Sequence, residues 1–133
     1  MTMQVERLPD EPIILVTVEG YYSFDDALFV FSETERLRQD ISGRIYRITD
    51  VRAAYSTLSD ILKMIQVTAR RSYGTSADPN VLVILVGDHQ WSRLFIEALE
   101  TEQIAGVETP LFDTLEEAFV YARARIQGSS GTT

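Results

Sequence analysis

The sequence predicts an α/β domain with a mixed, mostly parallel sheet of about five strands and four helices, in the order ββαβαβαβα. Three observations predict it. Short β-branched runs alternate with stretches of helical apolar spacing at βαβ intervals. The run Val81 to Val86 (VLVILV) is apolar throughout, as a strand covered on both faces requires. The first two strand candidates are separated only by Pro9-Asp10-Glu11-Pro12, which is too short for a crossover but long enough for an antiparallel hairpin.

Each element has its own signal. Met3 to Leu8 alternates weakly, and Ile13 to Val18 (IILVTV) is β-branched and closes at Gly20. Ser23 with Asp26 offers a variant capping box. Phe24, Ala27, Leu28, Phe31 and Leu37 then recur at helical spacing until Ile41-Ser42-Gly43. Arg44 to Asp50 reads as a half-buried strand with Asp50 at its C-terminal end, and Arg52 to Ser56 reads as a connection. Thr57 and Asp60 form a full capping box. The helix they open carries Leu58, Ile61, Leu62, Ile65 and Ala69 on one face and stops near Arg70-Arg71, with Gly74 beyond. Asp88 is expected to cap a helix with Leu94, Phe95, Ala98 and Leu99 inward, ending near Gly106. Val107 to Phe112 reads as a short edge strand because of Pro110. Thr114 with Glu117 caps the last helix, whose inner stripe is Leu115, Ala118, Phe119, Ala122 and Ile126. Residues 1–127 therefore read as one domain, and 128–133 (GSSGTT) as a disordered tail.

Composition excludes several function classes. The chain has 133 residues, 20 Asp plus Glu against 12 Lys plus Arg, one His and no Cys, for a net charge of −8. Without cysteine there is no disulfide framework, thiolate metal site or cysteine nucleophile, and a single His makes no metal cluster. The acidic balance argues against binding nucleic acid or an anionic membrane surface. A content of 45% hydrophobic residues argues for a packed core rather than disorder. The start, MTMQVERLPDEP, carries no basic segment followed by an apolar one. No apolar run reaches the length of a membrane span, so the expectation is a cytoplasmic protein without membrane insertion.

The stretches EGYYSFDDA, RIYRITDVR, VLVILVGD and ETPLFDTLEEAFVYARARI, in that order from about Val5 to Ile126, resemble the STAS domains, in particular the small bacterial SpoIIAA-like (anti-sigma-factor-antagonist-like) proteins. The resemblance implies the corresponding fold and a non-catalytic interaction module, often regulated by phosphorylation. The family's switch serine, two residues after the strand-end aspartate, is absent: Asp50 is followed by Val51, Arg52, Ala53 and Ala54. Ser56 and Thr57 are the phosphorylation candidates in that neighbourhood, where a helix N-terminus and Arg52 would favour a phosphate. Thr57 also reads as a plain N-cap.

Ligand sites in open α/β sheets lie at the carboxyl ends of the strands. That places Asp50, Arg52, Tyr55, Asp88 and His89 on a candidate ligand or partner edge. An acid, a base and oxygen ligands for Mg²⁺ are available there, but no nucleophile–base–orienter set is visible. Catalysis, a metal and a cofactor are therefore not expected. Gly74-Thr75-Ser76-Ala77 lacks the glycines and lysine of a phosphate loop and reads as a connection. Eleven of the twelve basic residues are Arg, expected in surface pairs with carboxylates. A surplus of apolar residues at Phe29, Val30, Val120 and Tyr121 marks a candidate interface to a protein partner or to a second copy in a homodimer. The alternative is a small-molecule or lipid pocket between sheet and helices, lined by Phe24, Phe29, Tyr55 and Trp91, for which a cavity of roughly 300 Å³ or more is needed. The acids Asp25, Asp26, Asp60, Asp88, Glu116 and Glu117 fall at helix starts, so much of the charge reads as structural.

Overall fold

The computed structural model describes residues 2–70, 78–101 and 108–130. The predicted features at Arg71, Tyr73, Gly74 to Ala77, Gly106, Val107 and 131–133 lie outside them. Five strands and four helices follow the predicted order: β1 (Thr2–Arg7), β2 (Ile13–Tyr21), α1 (Phe24–Leu37), β3 (Ile45–Tyr55), α2 (Leu58–Ala69), β4 (Val81–Val86), α3 (Gln90–Glu100), β5 (Leu111–Phe112) and α4 (Leu115–Ser130). The sheet order is β1-β2-β3-β4-β5, with β1 antiparallel to β2 and every other pair parallel.

That order has a structural consequence. Parallel strands added one after another in the same direction, each through a right-handed crossover, place all their helices on one face. Accordingly α1, α2 and α3 share a core with Ile14, Val16 and Val18 of β2, through Ala27, Val30, Ile61, Met64, Ile65 and Ile96. The other face is left to α4, whose Ala118 and Ala122 pack on Ile13, Tyr46, Ile48, Ile84 and Val86. The period-two alternation of strands sends Ile13 to one core and Ile14 to the other.

Several expectations need correction. Strand β3 does not end at Asp50. β2 continues past a register shift between Thr17 and Glu19 and pairs Gly20 with Ala54 and Tyr21 with Tyr55, which extends β3 over the expected connection. The inner stripes are also rotated. In α2 the buried residues are Asp60, Ile61, Met64, Ile65 and Thr68, while Leu58 and Leu62 are 62% and 48% exposed. At about 100° per residue the buried positions fill an arc that runs from Asp60 to Ile65, and both leucines lie just beyond its Ile65 edge. Polar residues can hold that arc because their groups are satisfied: the Thr68 hydroxyl donates to Met64 O at 2.9 Å. In α1, likewise, Val30 is buried with Ala27 and Thr34, so it belongs to the core and not to an interface, while Leu28 is exposed. In α3, Leu94 is exposed and Ser92, Ile96 and Leu99 are buried. His89 rather than Asp88 is the N-cap residue of α3, its backbone N–H donating to Ser92 Oγ at 2.8 Å. Strand β5 is only two residues long, although it does form the sheet edge. Helix α4 runs through 128–130, expected as tail. Gly128 is not among the positive-φ glycines and no proline follows, so nothing stops the last turn.

Arg47, on the central strand, is buried on the three-helix face. Its Nη1 donates to Thr34 Oγ1 at 2.9 Å and its guanidinium lies 5.5 Å from the Phe31 ring centroid. Burial lowers its pKa to about 10, opposed by the charges of Tyr22 and Asp78, so it stays cationic at neutral pH. Burial also pushes the Tyr22 hydroxyl up to about 12.

Gly87 ends β4 with φ +127°. A Cβ there would stand 2.9 Å from Arg52 N and 3.1 Å from Arg52 Cα, which are backbone atoms of the neighbouring strand. Gly87→Ala is therefore expected to cost about 2 kcal/mol. Gly128→Ala, with open space around its Cβ, should stay within about 0.5 kcal/mol of wild type. Chemical denaturation of the two variants checks the difference.

Candidate functional site

The start of α2 is organised by one carboxylate. Asp60 Oδ1 accepts from Phe24 N at 2.9 Å, and Asp60 Oδ2 accepts from Thr57 Oγ1 at 2.7 Å and from the Tyr21 hydroxyl. Asp60 N in turn donates to Thr57 Oγ1 at 3.2 Å, the capping bond predicted from sequence. Asp60 thus ties the end of β2, the first residue of α1 and the N-cap of α2. The Thr57 hydroxyl, followed by the Tyr21 hydroxyl and the Phe24 amide, holds the Asp60 carboxyl below the usual range, and Asp60 pushes the Tyr21 hydroxyl up. Next to this knot Ser56 Oγ donates to Tyr22 O at 2.7 Å, Tyr22 N donates to Tyr55 O at 2.8 Å, and the Tyr21 and Tyr55 rings stack at 5.6 Å.

Beyond the knot lies a groove of about 640 Å³ between α2 and α3, lined by Ser56, Leu58, Ile61, Gln90, Trp91, Arg93, Leu94 and Glu97. Leu58, Leu62 and Leu94, which helical periodicity would turn inward, are exposed along or beside it. Trp91, the only tryptophan, stacks on His89 at 5.3 Å with the planes 9° apart. By contrast, the space between the sheet and the three-helix layer is only about 40 Å³, room for roughly one water. That is far below what an apolar ligand pocket needs. Of the residues expected to line such a pocket, Trp91 does so, while Phe29 and Tyr55 are 50% and 60% exposed.

The predicted strand-end constellation does not assemble. Asp50 is buried within β3 and accepts from Arg52 Nε at 3.0 Å and Nη2 at 2.9 Å. Asp88 is exposed and accepts from Arg93 Nε at 2.6 Å and Nη2 at 2.7 Å, which lowers its pKa. His89 Nε2 is 2.8 Å from Val51 O, so that ring nitrogen is engaged with backbone. Each carboxylate is held by its own arginine, and among the described residues no group of three or more acidic or His side chains could hold a metal. The strand order never reverses, so the sheet has no switch point of the kind that opens a ligand crevice in doubly wound folds. Arg52 is committed to Asp50 and has no described contact with Thr57, whose hydroxyl donates to the Asp60 carboxylate instead, so a phosphate on Thr57 would meet a negative charge and not the arginine expected from sequence. The candidate interface also divides. Phe29 is on α1 and Val120 and Tyr121 on α4, helices on opposite faces of the sheet, so they form no single patch. Val120 is 65% exposed, and with Phe112, Tyr121, Glu116 and Glu117 it lines a separate shallow cleft. Sequence reasoning missed Tyr21, Leu58, Leu62 and Leu94 as surface residues. The one available signal was the polar pair Asp60 and Thr68 at i, i+8, which competes with the leucines for the inward arc.

This architecture is the SpoIIAA-like α/β fold. No family model matches the chain, and no curated protein matches it significantly in sequence. Solved structures do match. An uncharacterised protein with a SpoIIAA-like fold from Shewanella loihica aligns with TM-score 0.58 and 12% identity over 91% of this chain and 92% of its own. An anti-sigma factor antagonist from Mycobacterium paratuberculosis aligns with TM-score 0.54 and 18% identity over 92% and 93%. The anti-sigma factor antagonist SpoIIAA in its unphosphorylated form aligns with TM-score 0.57 and 13% identity over 93% and 98%. At these identities what is shared is the fold.

The Asp60 knot predicts a pH dependence. A carboxyl whose folded pKa is depressed contributes stability that is present above its unfolded pKa and lost as pH falls through the folded one. Asp60→Asn should cost about 1–3 kcal/mol at neutral pH. The gap from wild type should shrink as pH falls below the ordinary carboxyl range and through the depressed value at which the folded carboxyl protonates. Thermal melts of both proteins from neutral to acid pH measure that gap, and a gap independent of pH would show that the charge of Asp60 is not what stabilises.

Proposed function

We propose that this protein is a non-catalytic regulatory module that binds a protein partner through the α2–α3 groove. The observation that carries the reading is the pair of exposed leucines that line it, Leu58 and Leu94, beside Trp91, with Leu62 exposed one turn after Leu58 and the stacked Tyr21–Tyr55 pair next to Ser56. Exposed aromatic and aliphatic anchors around a concavity are the chemistry of protein contact sites. The filled interior supports the same reading over a small-molecule or lipid pocket. The fold it shares with two anti-sigma factor antagonists accords with it. The absence of cysteine suits the cytoplasm. Asp50 and Asp88 serve structure rather than chemistry. On this reading a phosphate on Thr57 acts against docking, because it would set a second negative charge beside Asp60 at the end of the groove.

Affinity capture from lysate of the source organism tests the reading when groove and control variants are compared. A partner held by wild type should be lost by Leu58→Asp and Leu94→Asp and weakened by Thr57→Glu. It should be retained by Val120→Asp on the opposite face and by Asp50→Ala and Asp88→Ala. Retention by both groove variants with loss in Val120→Asp would overturn the assignment. Light scattering of the same preparations distinguishes a second copy from a different partner. A dimer that Leu58→Asp dissolves would make the groove a homodimer interface.

A further inference from the structure

The α2–α3 groove also indicates what kind of partner segment it takes. We infer that it receives an amphipathic helix with a cationic flank, an inference that rests on the groove being the docking surface.

Backbone chemistry selects the helix. Both walls of the groove are α-helices, α2 over Leu58–Ala69 and α3 over Gln90–Glu100, which beyond their first turns satisfy their main-chain groups internally and present no strand edge to pair with. An extended segment laid there would bury its own N–H and C=O groups against side chains that are mainly apolar, at a cost of the order of 1–3 kcal/mol for each group left unpaired. A helix brings its hydrogen bonds with it and offers only side chains. The lining matches this. Gln90, Trp91, Leu94 and Glu97 recur along α3 at helical spacing, and Leu58 and Ile61 oppose them from α2, so a third helix can pack between the two. The span from Gln90 to Glu97 is about 10 Å, two turns of an occupant.

Charge selects the flank. Among the described residues Arg93 is the one cation lining the groove, and its guanidinium is already held by both oxygens of Asp88, at 2.6 and 2.7 Å. Glu97 and Asp113 also act electrostatically on Arg93, so its single positive charge is outnumbered by the carboxylates around the rim. On the α2 side the charge of Lys63 acts on the Asp60 carboxylate. With a net charge of −8 on the whole chain, lysines or arginines beside the apolar stripe of the occupant complement this rim, and acidic ones are repelled.

Trp91 is the only tryptophan and lines the groove, so its emission reports occupancy directly. The full chain is titrated at one fixed neutral pH. The titrants are two designed peptides of about 18 residues, long enough to be helical. They share one leucine-rich face and differ only in flanks of Lys or Glu. The expected result is a shift of Trp91 emission with the Lys peptide at a Kd about tenfold or more below that of the Glu peptide, the gap closing at about 0.5 M salt. Glu97→Lys should narrow the gap, and Leu58→Asp and Leu94→Asp should abolish the response to both, with circular dichroism verifying that each variant is folded. Equal affinity for the two peptides would overturn the cationic flank and leave helix docking in place. No response to either peptide at millimolar concentration would overturn the groove as a docking surface.

Discussion

Right-handed crossover in a sheet that grows in one direction is the constraint on which the rest of this molecule depends. Once β2, β3, β4 and β5 follow one another side by side, α1, α2 and α3 must crowd onto the same face, and α4 alone covers the other. Three helices in one layer meet pairwise over the sheet, and the outer surfaces where they meet are grooves. The same constraint removes the reversal of strand order that would create a ligand crevice. What the fold offers for function is therefore a surface between helices rather than a cleft at the strand ends. Asp50 and Asp88, placed near those ends, spend their charge on Arg52 and Arg93.

The helix layer is set in rotation by polar groups that face inward. Thr34 gives its hydroxyl to Val30 O at 2.7 Å and accepts from Arg47, Thr68 gives its hydroxyl to Met64 O, and Asp60 gathers donors from β2, α1 and α2. A buried polar group with its hydrogen bonds made costs little, whereas one without them costs a few kcal/mol. Each of these residues therefore takes an inward position that an apolar side chain would otherwise occupy, and Leu28, Leu58, Leu62 and Leu94 are left outside. The exposed leucines beside Trp91 are the outward consequence of the buried network, and that links the stability of the layer to the surface it presents.

Most of the architecture was legible because its signals are local or periodic. The capping residues Ser23, Thr57 and Thr114 mark their helices correctly, VLVILV marks β4, which is covered on both faces but lies beside the central β3, and the short turn after Leu8 marks the antiparallel pair β1–β2. What was not legible depends on partners distant in sequence. The extension of β3 to Tyr55 follows from its pairing with Tyr21, 34 positions away. The inward turn of Asp60 follows from Tyr21 and Phe24, and the burial of Arg47 from Thr34 and Phe31. Apolar counting assigns a leucine to the core before an aspartate, and only the tertiary hydrogen bonds reverse that order. The candidate site failed in the same way: Val30 went to the core, and Phe29 and Val120 went to opposite faces.

The central claim is that the α2–α3 face is where this domain meets its partner. The most direct measurement is amide chemical-shift mapping of the isotope-labelled chain with and without the captured partner. The account predicts perturbations concentrated at Ser56 to Leu62 and Gln90 to Glu97, with α4 unmoved. Perturbations centred on Phe112, Val120 and Tyr121, with α2 and α3 unmoved, would contradict it.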